Sequence, residues 1–491
     1  MKRSKRKLEV TDGTKLVVCA TSEDAVNRLA ELYRSSIDLI HEQYQAYLKG
    51  DEPSDVSKSG VYPLIAVEIP PEQAIHTGRL SLGSIASTNQ HATTITQPEL
   101  FRDYLMGQLE AIRAQFDAKI RVGRSTEAIP LQFALEPYLT ADGDRPPSDI
   151  QHHFHTPNLM EMNDEIADGG RILRRDGPFP LTLFTAARTD HSLYRLQHYT
   201  ATSPRHFQKF VLFTNYQRYV DEFVEHARLE LQAGRALALV EPGDRITQSM
   251  GARNTRSATS PMPQMPAYHL VRPGNMGDTL VNIGIGPSNA KTITDHIAVL
   301  RPYSWLMIGH CGALRRTQQL GDYVLAHAYL RDDAVLDEAL PTSIPLPTIA
   351  EVQLALTEAV RQETGCTENE LKTFLRTGTV VTTGDRNWEL SFERIAERLN
   401  KSRAIAIDME SATIAANGYR YRVPYGTLLC SSDKPLHGEP KLPGMASSFY
   451  QDRIGQHLAI ALRANTILRE EAEKGTLRSR KLRSFDEPLF Q

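Results

Sequence analysis

The apolar positions near the start of the chain follow a helical spacing. Thr21-Ser-Glu-Asp is a typical helix start, and the spacing after it predicts a helix that ends near Lys49. The apolar face of this helix consists of Leu29, Tyr33, Ile37 and Ile40. The run 62–69 predicts a strand, and Pro98 suits the first turn of a second long helix. With two short strand-like runs between residues 119 and 135, these elements predict a smaller α+β domain.

From residue 278 onward, short apolar strands alternate with helical patterns. The predicted strands are 279–285, 305–308, 323–326, 379–382, 404–407 and 427–430. The apolar faces of the first and last helices in this region are formed by Ala290, Ile293, Ile297 and Leu300, and by Ile454, Leu458, Ala461 and Leu468. Such alternation predicts an α/β domain with a largely parallel sheet.

Turn-forming and charged residues separate these two regions. They dominate from residue 140 to residue 180, and we place the boundary between 165 and 180. The prediction is therefore an N-terminal domain over 1–175 and a second domain over 176–491.

Composition narrows the classes of function. A chain of 491 residues with 41% hydrophobic and 23% charged residues is typical of a globular protein with two or more domains. The net charge of -3 gives no strong field for nucleic acid or an anionic membrane, and no apolar run reaches the ~20 residues of a spanning helix. Four scattered cysteines without a CxxC pair favour a reducing compartment, so we expect a cytoplasmic protein without nucleic-acid or membrane partners.

A glycine-containing loop, residues 284–291, follows a predicted strand and opens a helix. It contains Gly284, Gly286, Ser288 and Asn289. Free N–H groups at a helix start favour an anion. The third glycine of a dinucleotide fingerprint and the Gly-Lys-Ser/Thr ending of a Walker A loop are both missing. Contact with one phosphate or sugar, and a tight turn without a ligand, both fit this loop.

A second glycine pair, Gly309 and Gly312, brackets His310 after the next strand. The glycines allow a ligand to approach the backbone, and His310 suits donation to a phosphate or hydroxyl. Close packing with an incidental histidine is the alternative.

Carboxylates follow two later strands. In Asp408-Met409-Glu410, a carboxylate suits a pair of sugar hydroxyls, although acidic residues also favour a helix N-terminus for local reasons. Asp433 suits general acid catalysis, but after Ser431 and Ser432 it also suits a turn.

Three further polar clusters have no specific signal. His152-His-Phe-His155 lacks the spacing of a metal site, so we expect solvated histidines. The polar-aromatic runs 195–200 and 213–217 suit either a site lining or ordinary packing.

The order and spacing of these motifs resemble the nucleoside phosphorylase/nucleosidase superfamily over residues 266–465. By that resemblance, Gly286 belongs to the phosphate-side loop and 309–312 to the second glycine loop. Met409 and Glu410 resemble the ribose clamp, and Asp433 resembles the acid that protonates the purine. Trp388, 410 − 388 = 22 residues before Glu410, resembles the aromatic residue that stacks on the base. The resemblance implies a nucleoside phosphorylase-like mixed sheet with flanking helices.

The whole chain is most similar to the branch of this superfamily that hydrolyses AMP. The runs that carry this similarity are 286–291, 307–312, 385–390 and 432–438. Purine phosphorylases have arginines for the attacking phosphate where Asn289 and Met307 stand here, so the resemblance implies water as nucleophile. It leaves Arg188 and Arg195 as candidates for the substrate's 5′-phosphate.

The resemblance carries further expectations. The products are adenine and ribose 5-phosphate, with Asp433 as general acid and no metal or redox cofactor. The N-terminal domain is regulatory, MgATP activates, phosphate inhibits, and the protein is a homohexamer. A purine nucleoside phosphorylase, a methylthioadenosine-type nucleosidase and a non-catalytic nucleotide sensor are the alternatives, although a sensor has no need of both Glu410 and Asp433.

Overall fold

The protein forms two units in a computed structural model that describes residues 16–51, 60–74, 90–135, 147–169, 178–248, 253–254, 263–437, 445–477 and 488–490. The first unit comprises Met1–Tyr194 with Arg483–Gln491, and the second comprises Arg195–Leu482. The boundary expected after residue 175 lies outside the described residues and stays a prediction. Each unit is described separately below.

The helices and strands are numbered along the chain. Those up to residue 200 are β1 Val17–Val18, α1 Ser22–Leu48, β2 Val61–Glu68, α2 Pro71–Ala74, β3 Gln90–Thr94, α3 Arg102–Gln115, β4 Lys119–Ala128, α4 Leu131–Ala134, α5 Pro147–His153, β5 Phe179–Pro180 and α6 Ala186–Thr200. Those that follow are β6 Phe210–Thr214, α7 Gln217–Gln232, β7 Ala238–Glu241, β8 Arg245–Gln248, β9 Arg253–Asn254, β10 Ala267–Val271, β11 Asp278–Asn282, α8 Pro287–Ile297, β12 Ser304–Ala313, β13 Tyr323–Asp332, α9 Ala350–Thr364, α10 Glu368–Phe374, β14 Leu375–Thr383, α11 Phe392–Ser402, β15 Ala406–Asp408, α12 Ser411–Tyr421, β16 Tyr425–Asp433 and α13 Met445–Glu473. Within the described ranges, no helix has both the length and the apolar character needed to cross a membrane.

The first unit is a five-stranded sheet in the order β1-β4-β2-β3-β5 with helices packed against it. Helix α1 confirms the expected start, because the Thr21 side chain accepts from the Asp24 N–H while Asp24 accepts from the Thr21 N–H. The second long helix begins at Arg102 and not at Pro98. A turn precedes it, in which Gln97 adopts a positive φ of 40° and its carbonyl accepts from the Leu100 N–H.

Two other details of this unit differ from the sequence prediction. The two short strand-like runs are one strand, β4, followed by the short helix α4. The chain's last described residues also pack into this unit: Phe490 is 2% exposed, belongs to its hydrophobic core, and donates its N–H to the Leu181 carbonyl at 2.8 Å.

The second unit contains an 11-stranded sheet in the order β15-β14-β13-β16-β12-β6-β11-β10-β7-β8-β9. Strand β15 also pairs with β12, so strands β12 to β16 form a closed ring. The sheet is mixed and not largely parallel, because β13 runs antiparallel to β16 and β15 runs antiparallel to β12. The α/β fold with a mixed sheet and flanking helices is confirmed, as is the α+β unit before it.

Helix α12 is buried along almost its whole length and lies against several of these strands. Its residues on the sheet side are small, which lets the helix approach closely. A Cβ atom placed on Gly418 would lie 2.5 Å from Cδ1 of Tyr425 and 2.9 Å from the carbonyl oxygen of Val423. The sequence therefore needs a glycine at this point of the helix for packing reasons.

We expect Gly418→Ala to destabilise the second unit by about 1–3 kcal/mol, because the added methyl group forces the strand away from the helix. Gly455→Ala is the matched control, since a Cβ atom on this helical glycine meets its nearest neighbour, Glu222 Oε2, at an ordinary 3.6 Å. Urea unfolding followed by circular dichroism measures both. Equal midpoints for the two variants would contradict the packing argument.

Candidate functional site

Glu410 lies where β15 ends and α12 begins, and it is only 1% exposed. Both of its carboxylate oxygens accept hydrogen bonds from the protein. Oε1 accepts from the N–H of Gly286 at 2.6 Å, and Oε2 accepts from Nδ2 of Asn215 at 3.1 Å. A carboxylate offers about four acceptor positions, so each oxygen can take a further donor. Glu410 is therefore a fixed acceptor with remaining capacity.

Asp408, two residues earlier, has a different role. Its Oδ2 accepts from the N–H of Ser411 at 2.9 Å and from the Ser411 hydroxyl, and its Oδ1 accepts from the Thr382 hydroxyl at 2.6 Å. Asp408 thus binds the first turn of α12, whereas the Glu410 side chain makes no capping hydrogen bond. Asp408 therefore performs the capping, and the Glu410 carboxylate keeps acceptor positions that a ligand could use.

Burial raises the pKa of both Glu410 and Asp408. The pKa of Glu410 rises to about 8, with burial as the main cause and repulsion from Asp408 as the second. The hydrogen bonds from Gly286 and Asn215 act in the opposite direction, because they favour the charged form. Such a pair of close, buried carboxylates is typical of functional sites.

The first glycine loop brings Gly286 to Glu410. Gly286 has a φ of 111° and lies immediately before α8, so its N–H points toward Glu410 and not along a strand. Ser288 is exposed in the first turn of the same helix. In the structure this N–H donates to a carboxyl side chain of the protein itself, and contact of the loop with a phosphate or sugar stays a prediction.

Asn215 was missed by the sequence reasoning as an individual residue. It follows directly after the buried strand β6, in the polar-aromatic run 213–217, and that position was the available signal. Gly309 of β12 leaves room for it, since a Cβ atom there would lie 3.3 Å from Oδ1 of Asn215.

His310 and Gly312 lie on the same strand, β12. The His310 ring contacts the ring of Tyr216 edge-on, with centroids 4.6 Å apart, and is half-buried. Gly312 pairs with both Ile407 and Asp433, and a Cβ atom on it would lie 3.2 Å from Cγ2 of Ile407. The second glycine pair therefore allows strands and side chains to pack closely around the site.

Asp433 ends β16 opposite Gly312. The Ser432 hydroxyl donates to its Oδ1 at 2.6 Å. Burial is the main cause that raises the pKa of the Cys311 thiol, followed by Cys430, Asp408 and Asp433. This thiol therefore lies close to both acidic segments. The two carboxylate segments therefore converge on one part of β12. Gly438, which ends the run 432–438, lies outside the described residues.

Trp388 and Met409 differ in how much of each side chain is accessible. Trp388 is 7% exposed and packs in a hydrophobic cluster with Leu314 and Ile407, so little of its ring is accessible. Met409, between the two carboxylates, is half-buried. Stacking of a base on Trp388 stays a prediction.

The two arginines considered for a phosphate have partners of their own. Arg188 is 4% exposed and donates to Asp164 at 2.7 Å. Arg195 lies over the ring of Tyr199, with its guanidinium carbon 4.7 Å from the centroid, and donates to the Tyr199 hydroxyl. These contacts do not bring either arginine to Glu410 or Asp433. The described residues contain no group of three or more His, Cys, Asp or Glu side chains arranged to hold a metal ion.

Two family models match this chain. The model described as "Bacterial AMP nucleoside phosphorylase N-terminus" covers residues 24–178, and the model "Phosphorylase superfamily" covers residues 270–464. The second match includes Gly286, Glu410 and Asp433, whereas Asn215 lies before its first residue.

Individual proteins and solved structures are also similar to this chain. Guanosine phosphorylase from Halorubrum lacusprofundi is 24% identical over 39% of this chain and 76% of its own length. A crystal structure of AMP nucleosidase from Bacteroides thetaiotaomicron is 27% identical, covers 58% of this chain and 98% of that chain, and has a TM-score of 0.43. Purine nucleoside phosphorylase from Toxoplasma gondii, in complex with immucillin-H, is 17% identical over 55% of this chain and 95% of that chain, with a TM-score of 0.39.

One similarity extends over both units. AMP nucleosidase from Escherichia coli K12 is 48% identical over 488 residues, which is 96% of this chain and 98% of that protein. Since nearly half of the residues are shared along almost the full length of both proteins, this chain belongs to the AMP nucleosidase family.

Proposed function

We propose that this protein hydrolyses the N-glycosidic bond of AMP to adenine and ribose 5-phosphate. The observation that carries the proposal is the arrangement of Glu410, which is buried and held by two N–H donors and which follows β15, the strand that pairs with Gly312 of β12 as Asp433 does. Membership of the AMP nucleosidase family supports AMP as the substrate.

The ribose hydroxyls donate to the remaining acceptor positions of Glu410, and these hydrogen bonds favour its ionised form, as those from Gly286 and Asn215 do. Because Gly286 and Asn215 already hold the carboxylate, it needs no reorganisation when the sugar binds. Met409 packs on the sugar face. Gly312 and His310, both on β12, lie beside the sugar. Ser288 and His310 are candidate donors to the 5′-phosphate, with Arg195 as a further candidate.

Asp433 acts as the general acid. The Ser432 hydroxyl occupies Oδ1, so the proton is carried on Oδ2 and passes to N7 of adenine. Protonation makes the base a better leaving group, the bond from the anomeric carbon to N9 breaks, and positive charge develops on the ribose. The adenine ring lies toward the Trp388 cluster.

Water attacks the anomeric carbon. A phosphate dianion used as nucleophile needs cationic ligands, and the positions where phosphorylases have arginines hold two neutral residues, Asn289 and Met307. Met307 is also 1% exposed within β12. The new bond forms to the water oxygen, and the proton that this water loses returns through solvent to the Asp433 carboxylate, which restores the acid for the next turnover. Activation by MgATP, inhibition by phosphate and assembly as a homohexamer stay predictions.

We expect Asp433→Asn to lower kcat about 10²–10⁴-fold, because an amide cannot deliver the proton, while AMP binding changes little. Release of adenine from AMP measures turnover, and calorimetry with AMP measures binding. Asp221→Asn, which changes an exposed aspartate on α7, is the matched control. Full activity of Asp433→Asn would refute its role as the acid.

We expect Glu410→Ala to lower kcat/KM for AMP about 10- to 100-fold more than for 2′-deoxy-AMP, because the deoxy substrate lacks one of the hydroxyls that the clamp binds. Glu410→Gln, which retains one acceptor oxygen, should give a smaller difference between the substrates. Equal losses on the two substrates would count against the ribose clamp.

Because the pKa of Glu410 is raised in the folded protein, the free energy of unfolding should depend on pH. The folded protein keeps this proton up to about pH 8, whereas the unfolded chain releases it near the ordinary value of 4.5, so rising pH between these values favours unfolding. We therefore expect Glu410→Gln to gain at least about 1 kcal/mol in stability relative to the wild type between pH 5 and pH 8. Urea unfolding at both pH values measures the gain, and Glu225→Gln, at an exposed position, is the control. A constant difference across this range would contradict the buried-carboxylate assignment.

A further inference from the structure

A separate cavity of about 680 Å³ lies in the second unit, away from the residues assigned to AMP cleavage. It is bounded by the loop after β12, by helices α9 and α10, and by the start of β14. Its volume is within the ~300–1,000 Å³ that is usual for small-molecule sites. None of Glu410, Asp433, Asn215 or Gly286 lines it.

The lining carries an excess of positive charge. Four cationic side chains, those of Arg315, Arg361, Lys372 and Arg376, face two carboxylates, Glu358 and Glu368. Arg361 pairs with Glu358 at 2.5 Å, and Arg376 is held by a carboxylate outside the lining at 2.8 Å.

Two of these cations remain available to a ligand. Among the residues that the structure describes, no carboxylate pairs with the side chain of Arg315 or Lys372. A cavity with two uncommitted cations attracts an anion.

Gln318 supplies a second, independent indication. It lines the cavity although it is only 2% exposed, and its Oε1 accepts from the N–H of Arg315 at 2.9 Å. Its Nε2 is buried and has no hydrogen-bond partner among the described residues. A buried donor without an acceptor is costly, so a ligand oxygen at this point would relieve the cost.

The rest of the lining consists of three threonines, Thr317, Thr357 and Thr377, and of three apolar residues, Leu371, Leu375 and Ile405. A bare ion would fill only a small part of the volume and would leave the apolar residues uncovered. The ligand therefore combines a charged group rich in oxygens with an organic part.

We propose that this cavity binds a phosphorylated small molecule. The phosphate lies against Arg315, Lys372 and the Gln318 amide, because a phosphate group accepts several charge-assisted hydrogen bonds at once. The organic part lies over Leu371, Leu375 and Ile405. This binding is independent of the reaction proposed for Glu410 and Asp433.

The decisive variant is Gln318→Glu. It keeps the oxygen that accepts from the Arg315 N–H but replaces the free amide donor with a negatively charged oxygen. Calorimetric titration with phenyl phosphate should show a binding event that is at least about tenfold weaker in this variant than in the wild type. Gln319→Glu, which makes the same change of charge at the next, exposed residue, should retain the wild-type affinity.

A second variant keeps the test independent of folding. Lys372 is exposed, so Lys372→Gln should fold normally and should weaken phenyl phosphate binding about three- to tenfold. Circular dichroism verifies the fold of each variant. Equal affinities of the wild type, Gln318→Glu and Lys372→Gln would overturn the proposal.

Two further titrations separate the parts of the ligand. Phenol should bind at least tenfold more weakly than phenyl phosphate, and equal binding would overturn the role of the phosphate. Inorganic phosphate should also bind more weakly than phenyl phosphate. If it binds equally well and with the same dependence on Gln318, the cavity is a site for the free ion and the assignment of an organic ligand is overturned.

Discussion

The hydrogen bonds to Glu410 are the interaction on which the second unit's functional edge depends. A buried carboxylate is tolerated only when donors surround it. Here the donors come from the end of β6 and from the turn between β11 and α8, far from Glu410 in sequence. Meeting this single requirement brings three separate segments to one point, so the same contacts that make burial tolerable also build the site.

The neighbouring carboxylate solves a different problem. Helix α12 starts inside the protein, where its first N–H groups have no access to water. Asp408 satisfies the Ser411 N–H and is itself held by Thr382 from the adjacent strand. Because Asp408 performs the capping, Glu410 keeps acceptor capacity for a substrate. Burial is the main cost and raises the pKa of both groups, and repulsion from Asp408 raises the pKa of Glu410 further.

The two regions of the second unit differ at particular positions. Asn289 and Met307, where phosphorylases have arginines, are neutral, whereas Arg315 and Lys372 line the separate cavity. An anionic nucleophile is thus not favoured where the glycosidic bond is cleaved. Arg315 and Lys372 face another volume, where Gln318 adds a donor.

Local interactions explain what the sequence by itself determined. The capping box at Thr21 and the alternation of strands and helices after residue 278 both depend on residues close together in the chain. The structure confirms these elements. The predicted start of the second long helix at Pro98 was wrong, because a turn at Gln97 comes first and α3 begins only at Arg102. Only the tertiary structure decided that β15 closes on β12, that Phe490 packs in the first unit, and that Asn215 and Gly286 donate to Glu410. These contacts join residues that lie far apart in the sequence, and no local pattern encodes such pairings.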